Sequence, residues 1–193
     1  VLSELDLRLE SSSASKFKDT TKADTGFNVP SVNWKLSGKR VMTMSWVEGI
    51  PLGDLNSLEK SGHDKFALGE RVLQLFLNHA LRDGFFHADM HQGNLKVNSD
   101  GEIIAYDFGI MGYIDEYTRR VYAEILYGFI KRDYKRVAEV HFEAGYVPID
   151  RDVEDFADAL RAVGEPIFGM DAANISMGKL LTYLFEVTAR FGM

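Results

Sequence analysis

The sequence predicts an α+β fold in which a small β part precedes a mostly helical one. Three observations predict it. Two short hairpin signals lie within the first 106 residues, amphipathic stretches fill the chain beyond residue 114, and Gly and Pro mark the joins. With 193 residues, 46% hydrophobic and 26% charged, the chain can bury a real core and has an ordinary globular composition.

In chain order, acids and the apolar Leu2, Leu5, Leu9 and Phe17 predict an amphipathic helix over residues 3–18. The polar stretch from Lys18 to Gly26 reads as a loop. Phe27–Lys35 and Arg40–Val47 are β-prone runs joined by Leu36-Ser37-Gly38-Lys39, a hairpin signal, and Gly49 and Pro51 break the pattern. Phe66–Leu81 is apolar nearly all round, as a buried helix is, and Arg82-Asp83-Gly84 stops it. Leu95–Val97 and Ile103–Tyr106, joined by Asn98-Ser99-Asp100-Gly101, predict a second hairpin. Helices are expected near 115–132, 133–144, 151–163 and 175–191, separated by Gly145, Pro148, Gly164 and Pro166.

Composition excludes several functions. The formal charge of -7, with no local Lys/Arg stripe, argues against a nucleic-acid partner. The absence of Cys excludes disulfides, thiolate zinc sites and a Cys nucleophile, and it fits a reducing compartment. No apolar run reaches the roughly 18 residues a membrane span needs, and no signal-peptide pattern is present. Val1 opens almost directly into a helical pattern, so a fragment of a longer chain is expected.

The informative stretch is Phe85-Phe86-His87-Ala88-Asp89-Met90-His91-Gln92-Gly93-Asn94, between the apolar helix and the second hairpin, which leads to Asp107-Phe108-Gly109. A protein-kinase catalytic loop needs a His, an Asp two residues later and an Asn five after that, here His87, Asp89 and Asn94. In that chemistry the first Asp handles the nucleophile's proton, while the Asn and the second Asp hold magnesium against the nucleotide phosphates. The spacing has a physical reason. Asp and Asn must enter one cleft from a single tight loop, and the hairpin returns Asp107 to it. Each motif alone has a bland explanation, a strand-ending turn or a core histidine; their order and spacing together do not. A rival reading takes His87, Asp89 and His91 as alternating zinc or iron ligands. It needs further ligands, and it leaves Asn94 and Asp107 unexplained.

On these residues the chain resembles the UbiB family of atypical protein-kinase-like proteins linked to ubiquinone biosynthesis. Glu4-Leu5-Asp6-Leu7-Arg8-Leu9-Glu10 is similar to the family's Glu-x-Asp motif followed by the helix-αC glutamate, which puts Glu10 in that role and Glu4 and Asp6 in the motif. Val41 to Gly49 resembles the strand entering the hinge behind adenine, with Met44 as gatekeeper and Ser45, Trp46 and Val47 offering backbone groups to the adenine edge. The resemblance implies a kinase-like fold, with a partial N-lobe at 1–49 and a helical C-lobe at 50–193. It implies ATP and magnesium as cofactors, and a lipid or quinone precursor and a membrane surface as partners through segments outside this sequence. The expected location is cytoplasmic, peripheral to the inner membrane.

Several family features are absent: the lysine–glutamine signature, the Ala-rich loop, the β3 lysine and the hydrophobic C-terminal helices. Met90 and Gln92 stand where the family often has Pro. Nine residues precede Glu10 and none is Lys, so these 193 residues alone are expected to bind ATP weakly and not to turn over. Two alternatives stay open at this point, a small-molecule phosphotransferase of aminoglycoside or choline kinase type and a non-catalytic nucleotide-binding scaffold.

Overall fold

In the computed structural model, which describes residues 6–168 and 177–193, five helices begin at an aspartate. Asp6, Asp54, Asp64, Asp133 and Asp152 each accept a backbone N–H of the following turn, satisfying donors that the helix itself cannot. The chain divides into two compact units, Val1–Asp115 and Glu116–Met193.

The first unit carries helices α1 (Leu7–Thr21), α2 (Leu55–Lys60) and α3 (Lys65–Leu77) and strands β1 (Phe27–Asn28), β2 (Ile50–Pro51), β3 (Phe85–His87), β4 (Leu95–Val97), β5 (Ile103–Ala105) and β6 (Met111–Tyr113). Four strands form a sheet in the order β1-β5-β4-β2, with β1 parallel to β5 and the other pairs antiparallel; β3 and β6 pair separately. The second hairpin appears as expected, with Leu95 opposite Ala105 and Val97 opposite Ile103. The second unit holds α4 (Glu116–Lys131), α5 (Tyr134–Glu143), α6 (Val153–Gly164) and α7 (Met177–Phe191), close to the four expected stretches. Its core gathers Tyr134, Val137, Phe156, Leu160 and Phe191, with Phe156 and Phe191 4.8 Å apart between ring centres.

Three local expectations are corrected. The first helix runs on through Lys18 to Thr21, because Thr20 and Thr21 return their hydroxyls to the carbonyls of Lys16 and Phe17 and add to the last turn. The first hairpin exists as pairing without regular strands. Asn33 N–H donates to Thr43 and Ser45 N–H to Ser31, while Pro30 lacks a donor and Trp34–Leu36 coil into a 3-10 turn. The apolar helix is not buried all round. Leu75 is buried and Leu68 and Val72 pack on the core, but Phe66 is 82% and Leu73 58% exposed, seven residues apart on the outward face.

The core of the first unit is centred on Phe17 of α1, which has no exposed surface. Its ring meets Phe27 at 5.7 Å, Phe85 at 5.9 Å, Phe108 at 6.2 Å and the imidazole of His79 at 5.0 Å. His79 lies in a π-helical turn, Asn78–Asp83, which extends α3 until Gly84 ends it in the left-handed conformation at φ 69°. His79 Nε2 is 2.9 Å from Asp24 Oδ2, and Arg82 grips the same carboxylate at 2.8 and 3.0 Å. Burial lowers the His79 pKa despite the carboxylate, so the contact is a hydrogen bond from a neutral ring; Arg82, first, and then His79 hold Asp24 below the ordinary range. This knot ties the turn after α1 to the end of α3.

Phe17→Ala should empty the hub and destabilise the protein by about 3–5 kcal/mol, the usual cost of deleting a buried phenyl ring. Urea unfolding measures it; a loss below about 1 kcal/mol would show that neighbouring rings collapse into the space.

Candidate active site

Two pairings position the site. β3 lies antiparallel to β6 with His87 opposite Met111, and Ala88 N–H donates to the Ile110 carbonyl at 3.0 Å. The entry to the His87–Asn94 loop and the exit from Asp107-Phe108-Gly109 therefore run side by side. The β4–β5 register does the rest, since Tyr106 N–H donates to the Asn94 carbonyl at 3.2 Å and sets Asp107 next to Asn94.

Within the loop, His87 is fully buried and its Nδ1 accepts from Asp89 N–H at 3.1 Å. Its Nε2, also buried, makes no hydrogen bond of ordinary geometry. Burial pushes the His87 pKa down, against the opposing influence of the Asp107 backbone and of the Asp107 and Asp89 charges. The ring is a neutral strut shaping the loop. It faces Phe108 at 6.1 Å, and with Nδ1 occupied and no exposed surface it cannot join Asp89 and His91 around a metal. That removes the zinc or iron reading.

Asp89 is half-exposed. Asn94, buried, donates through Nδ2 to the Asp89 carbonyl at 3.0 Å and to its carboxylate at 3.3 Å, while His91 Nε2 stands 3.5 Å from the same carboxylate. His91 is held in turn by Gly93 N–H on its Nδ1 at 2.9 Å. With the Asn94 amide nitrogen so engaged, its Oδ1 meets no partner among the described residues. Asp107 is exposed and spends one oxygen on Gly109 N–H at 3.1 Å, while the other meets none among the described residues. A carboxylate and an amide oxygen are donors of the kind Mg2+ takes, since it uses few protein ligands and fills its shell with water and phosphate oxygens. Among the described residues no three His, Asp or Glu side chains are arranged to hold a metal by themselves.

Glu10, on α1, reaches this centre. Its Oε1 accepts the Phe108 N–H at 3.3 Å, and a cavity of about 320 Å³ opens beside it, lined by Asp6, Leu9, Ser13, Phe108 and Ile110 among others. Asp6 caps α1 and forks onto Arg8 at 2.6 and 2.9 Å, which brings its pKa down to about 2. Glu4 lies outside the described residues. Met44 packs on the core, and Ser45 is tied to Ser31 through both its N–H and its Oγ. Among the described residues none hydrogen-bonds the Trp46 or Val47 backbone, and Trp46 is 84% exposed. His91, which the rival metal reading had taken as a ligand, touches Asp89 instead, and Tyr106, which no motif includes, donates its hydroxyl to the Gly93 carbonyl. A lone polar residue beside a motif carries no spacing signal that would single it out.

Residues 1–141 match the family described as the ABC1 atypical kinase-like domain, and residues 160–193 match the UbiB helical domain. The chain belongs to the ABC1 atypical kinase-like family. It is similar to the probable protein kinase UbiB of Aliivibrio fischeri strain MJ11, at 40% identity over 197 residues covering 100% of this chain and 36% of that protein. It is also similar to the probable protein kinase UbiB of Histophilus somni strain 129Pt, at 39% identity over 98% of this chain and 36% of that protein. The chain thus spans about 36% of the length of these relatives. Among solved structures it resembles Rv3197 of Mycobacterium tuberculosis, solved with erythromycin, with a TM-score of 0.65 and 24% identity over 85% of this chain and 42% of that one. At that identity the likeness is one of fold. The kinase-like α+β architecture expected from the sequence is therefore shown.

Folding lowers the pKa of both His79 and His87, so below the ordinary imidazole value near 6.5 the unfolded chain binds more protons than the folded one. Their contribution is complete above that pH and is lost as the pH falls through 6.5 towards the lowered values. Urea unfolding at pH 7.5, 6.5 and 5.5 should show falling stability, with a shallower slope in His79→Gln; a flat wild-type profile contradicts the neutral-ring assignment.

Proposed function

We propose that this chain carries the phosphate-handling core of an ATP-binding, magnesium-dependent atypical kinase or ATPase of UbiB type that supports ubiquinone biosynthesis. The observation that carries the reading is the Asp89–Asn94 pair in a loop whose backbone runs beside the Asp107-Phe108-Gly109 turn, with Glu10 accepting the Phe108 N–H. Family membership supports it. Asp89, half in solvent and steadied by Asn94 and His91, is suited to orient an attacking hydroxyl or water and take its proton. Asn94 Oδ1 and the unpaired oxygen of Asp107 would hold Mg2+, whose charge offsets that of the β- and γ-phosphates. Glu10 holds the Phe108 backbone, and through it the aim of Asp107. His87 shapes the loop without touching substrate. Trp46 and Val47 offer backbone groups to a base, beside Met44 and Ser45, and Glu4 and Asp6 take the Glu-x-Asp positions ahead of Glu10 in the sequence.

In this reading residues 1–49 are the part of an N-lobe that contains helix αC and the hinge, and residues 50–193 are the C-lobe. Among the described residues no helix is long and apolar enough to cross a membrane. Contact with a lipid or quinone precursor, and a cytoplasmic position at the inner membrane, would then involve other parts of the complete protein.

Two variants of the complete protein separate binding from turnover. Asp107→Asn should abolish magnesium-dependent nucleotide binding in a calorimetric titration, and unchanged binding would overturn its role as a ligand. Asp89→Asn should bind nucleotide normally yet slow phosphate release on the order of 100-fold, the scale of acid–base assistance. Full activity in that variant would make Asp89 structural.

A further inference from the structure

Two polar side chains of α1 leave the helix to hold other parts of the first unit. Near its start Glu10 accepts the Phe108 N–H at 3.3 Å, and so holds the turn that carries Asp107. Eight residues on, the Lys18 ammonium donates to the Val29 carbonyl at 2.7 Å and to the Ser31 hydroxyl at 2.8 Å. Ser11, Ala14 and Phe17 between them have no exposed surface, so the helix joining the two is clamped in the core.

A cation in the last turn of a helix suits its dipole, but that effect requires no particular partner. Here the ammonium spends two of its three protons on residues 11 and 13 positions further along the chain. Strand β1 ends at Asn28 and Pro30 has no N–H to pair, so Lys18 holds the chain where the sheet no longer does. Ser31 passes that position on. Its N–H donates to Ser45 Oγ at 2.9 Å, and Ser45 N–H donates back to the Ser31 carbonyl at 2.8 Å. Ser45 immediately precedes Trp46 and Val47, the residues assigned above to the base. One end of α1 therefore holds the segment for the base, and the other holds the turn of the metal ligand.

We propose that Lys18 is a positioning residue that couples the base segment to Asp107 through α1, so that base and Mg2+ strengthen each other's binding. The proposal rests on the nucleotide reading above and adds the route by which the two parts of the ligand communicate. A base seated on Trp46 and Val47 fixes Ser45 and with it Ser31. Ser31 and Val29 fix Lys18, and the clamped helix holds Glu10, Phe108 and Asp107 in one arrangement. By linkage the effect is reciprocal.

The test is the factor by which Mg2+ tightens a non-hydrolysable ATP analogue, from calorimetric titrations of the complete protein with Mg2+ and with a chelator. Lys18→Met keeps an unbranched stem and removes the donors. It should cut that factor about fivefold, the lower end of ordinary coupling between sites, and Lys18→Arg should restore it. Tripolyphosphate has no base, so its Mg2+ factor should be the same in wild type and Lys18→Met. Ser31→Ala removes only a hydroxyl on an exposed residue and should cut the ATP-analogue factor to a smaller extent, which keeps the proposal testable if Lys18→Met does not fold. Equal weakening of the ATP analogue with and without Mg2+ would make Lys18 a local support and overturn the proposal. An equal loss of the Mg2+ factor for tripolyphosphate would overturn it as well. If the folded wild type does not bind the ATP analogue under either condition, the nucleotide reading itself fails, an outcome distinct from any change in the factor.

Discussion

The burial of Phe108 is the constraint on which the site depends. It is the middle residue of an otherwise exposed Asp-Phe-Gly triplet, yet 1% of it is accessible. Its ring packs on Phe17 from α1 and on His87 from the 87–94 loop, and its N–H is taken by Glu10. Sinking this one side chain leaves Asp107 and Gly109 at the surface on either side of it. Three segments far apart in the chain thus agree on where Asp107 stands, and moving any one of them would open a gap in a tightly packed aromatic cluster.

The polar groups of this unit follow the same economy. His79 and His87 are both buried, both neutral by desolvation, and each uses one ring nitrogen, on Asp24 and on the Asp89 N–H respectively. The Asp24 carboxylate is matched by Arg82, so the charge taken partly out of water has a partner in bidentate geometry. The exposed charges of the loop contrast with these. Asp89 and Asp107 keep solvent contact and spare oxygens, which is what a site that must exchange ligands requires. Rigid neutral struts beneath and open carboxylates above give a centre held in place without being filled by its own side chains.

Local spacing was enough to read much of this chain. The interval from His87 through Asp89 to Asn94, the hairpin that carries the chain to Asp107, and the four later helices all depend on residues close in sequence, where turn chemistry and periodicity act directly. Tertiary structure alone decided what each element faces. Periodicity marked Phe66 and Leu73 as apolar, but not that they lie on the side of α3 that no neighbour covers. Asp6 read as part of a motif, whereas as an N-cap its carboxylate is also engaged by the Arg8 amide. Asp24 read as part of a loop and Arg82 as part of a helix stop 58 residues away, and only folding makes them a pair. Lys96 read as one residue of a short strand, and only folding brings Trp46 over it. The physical reason is common to all but Asp6, whose partner Arg8 lies two residues away. Hydrogen bonds within a turn are written in neighbouring residues, but desolvation, ion pairing and ring contact depend on groups that meet only when the core closes.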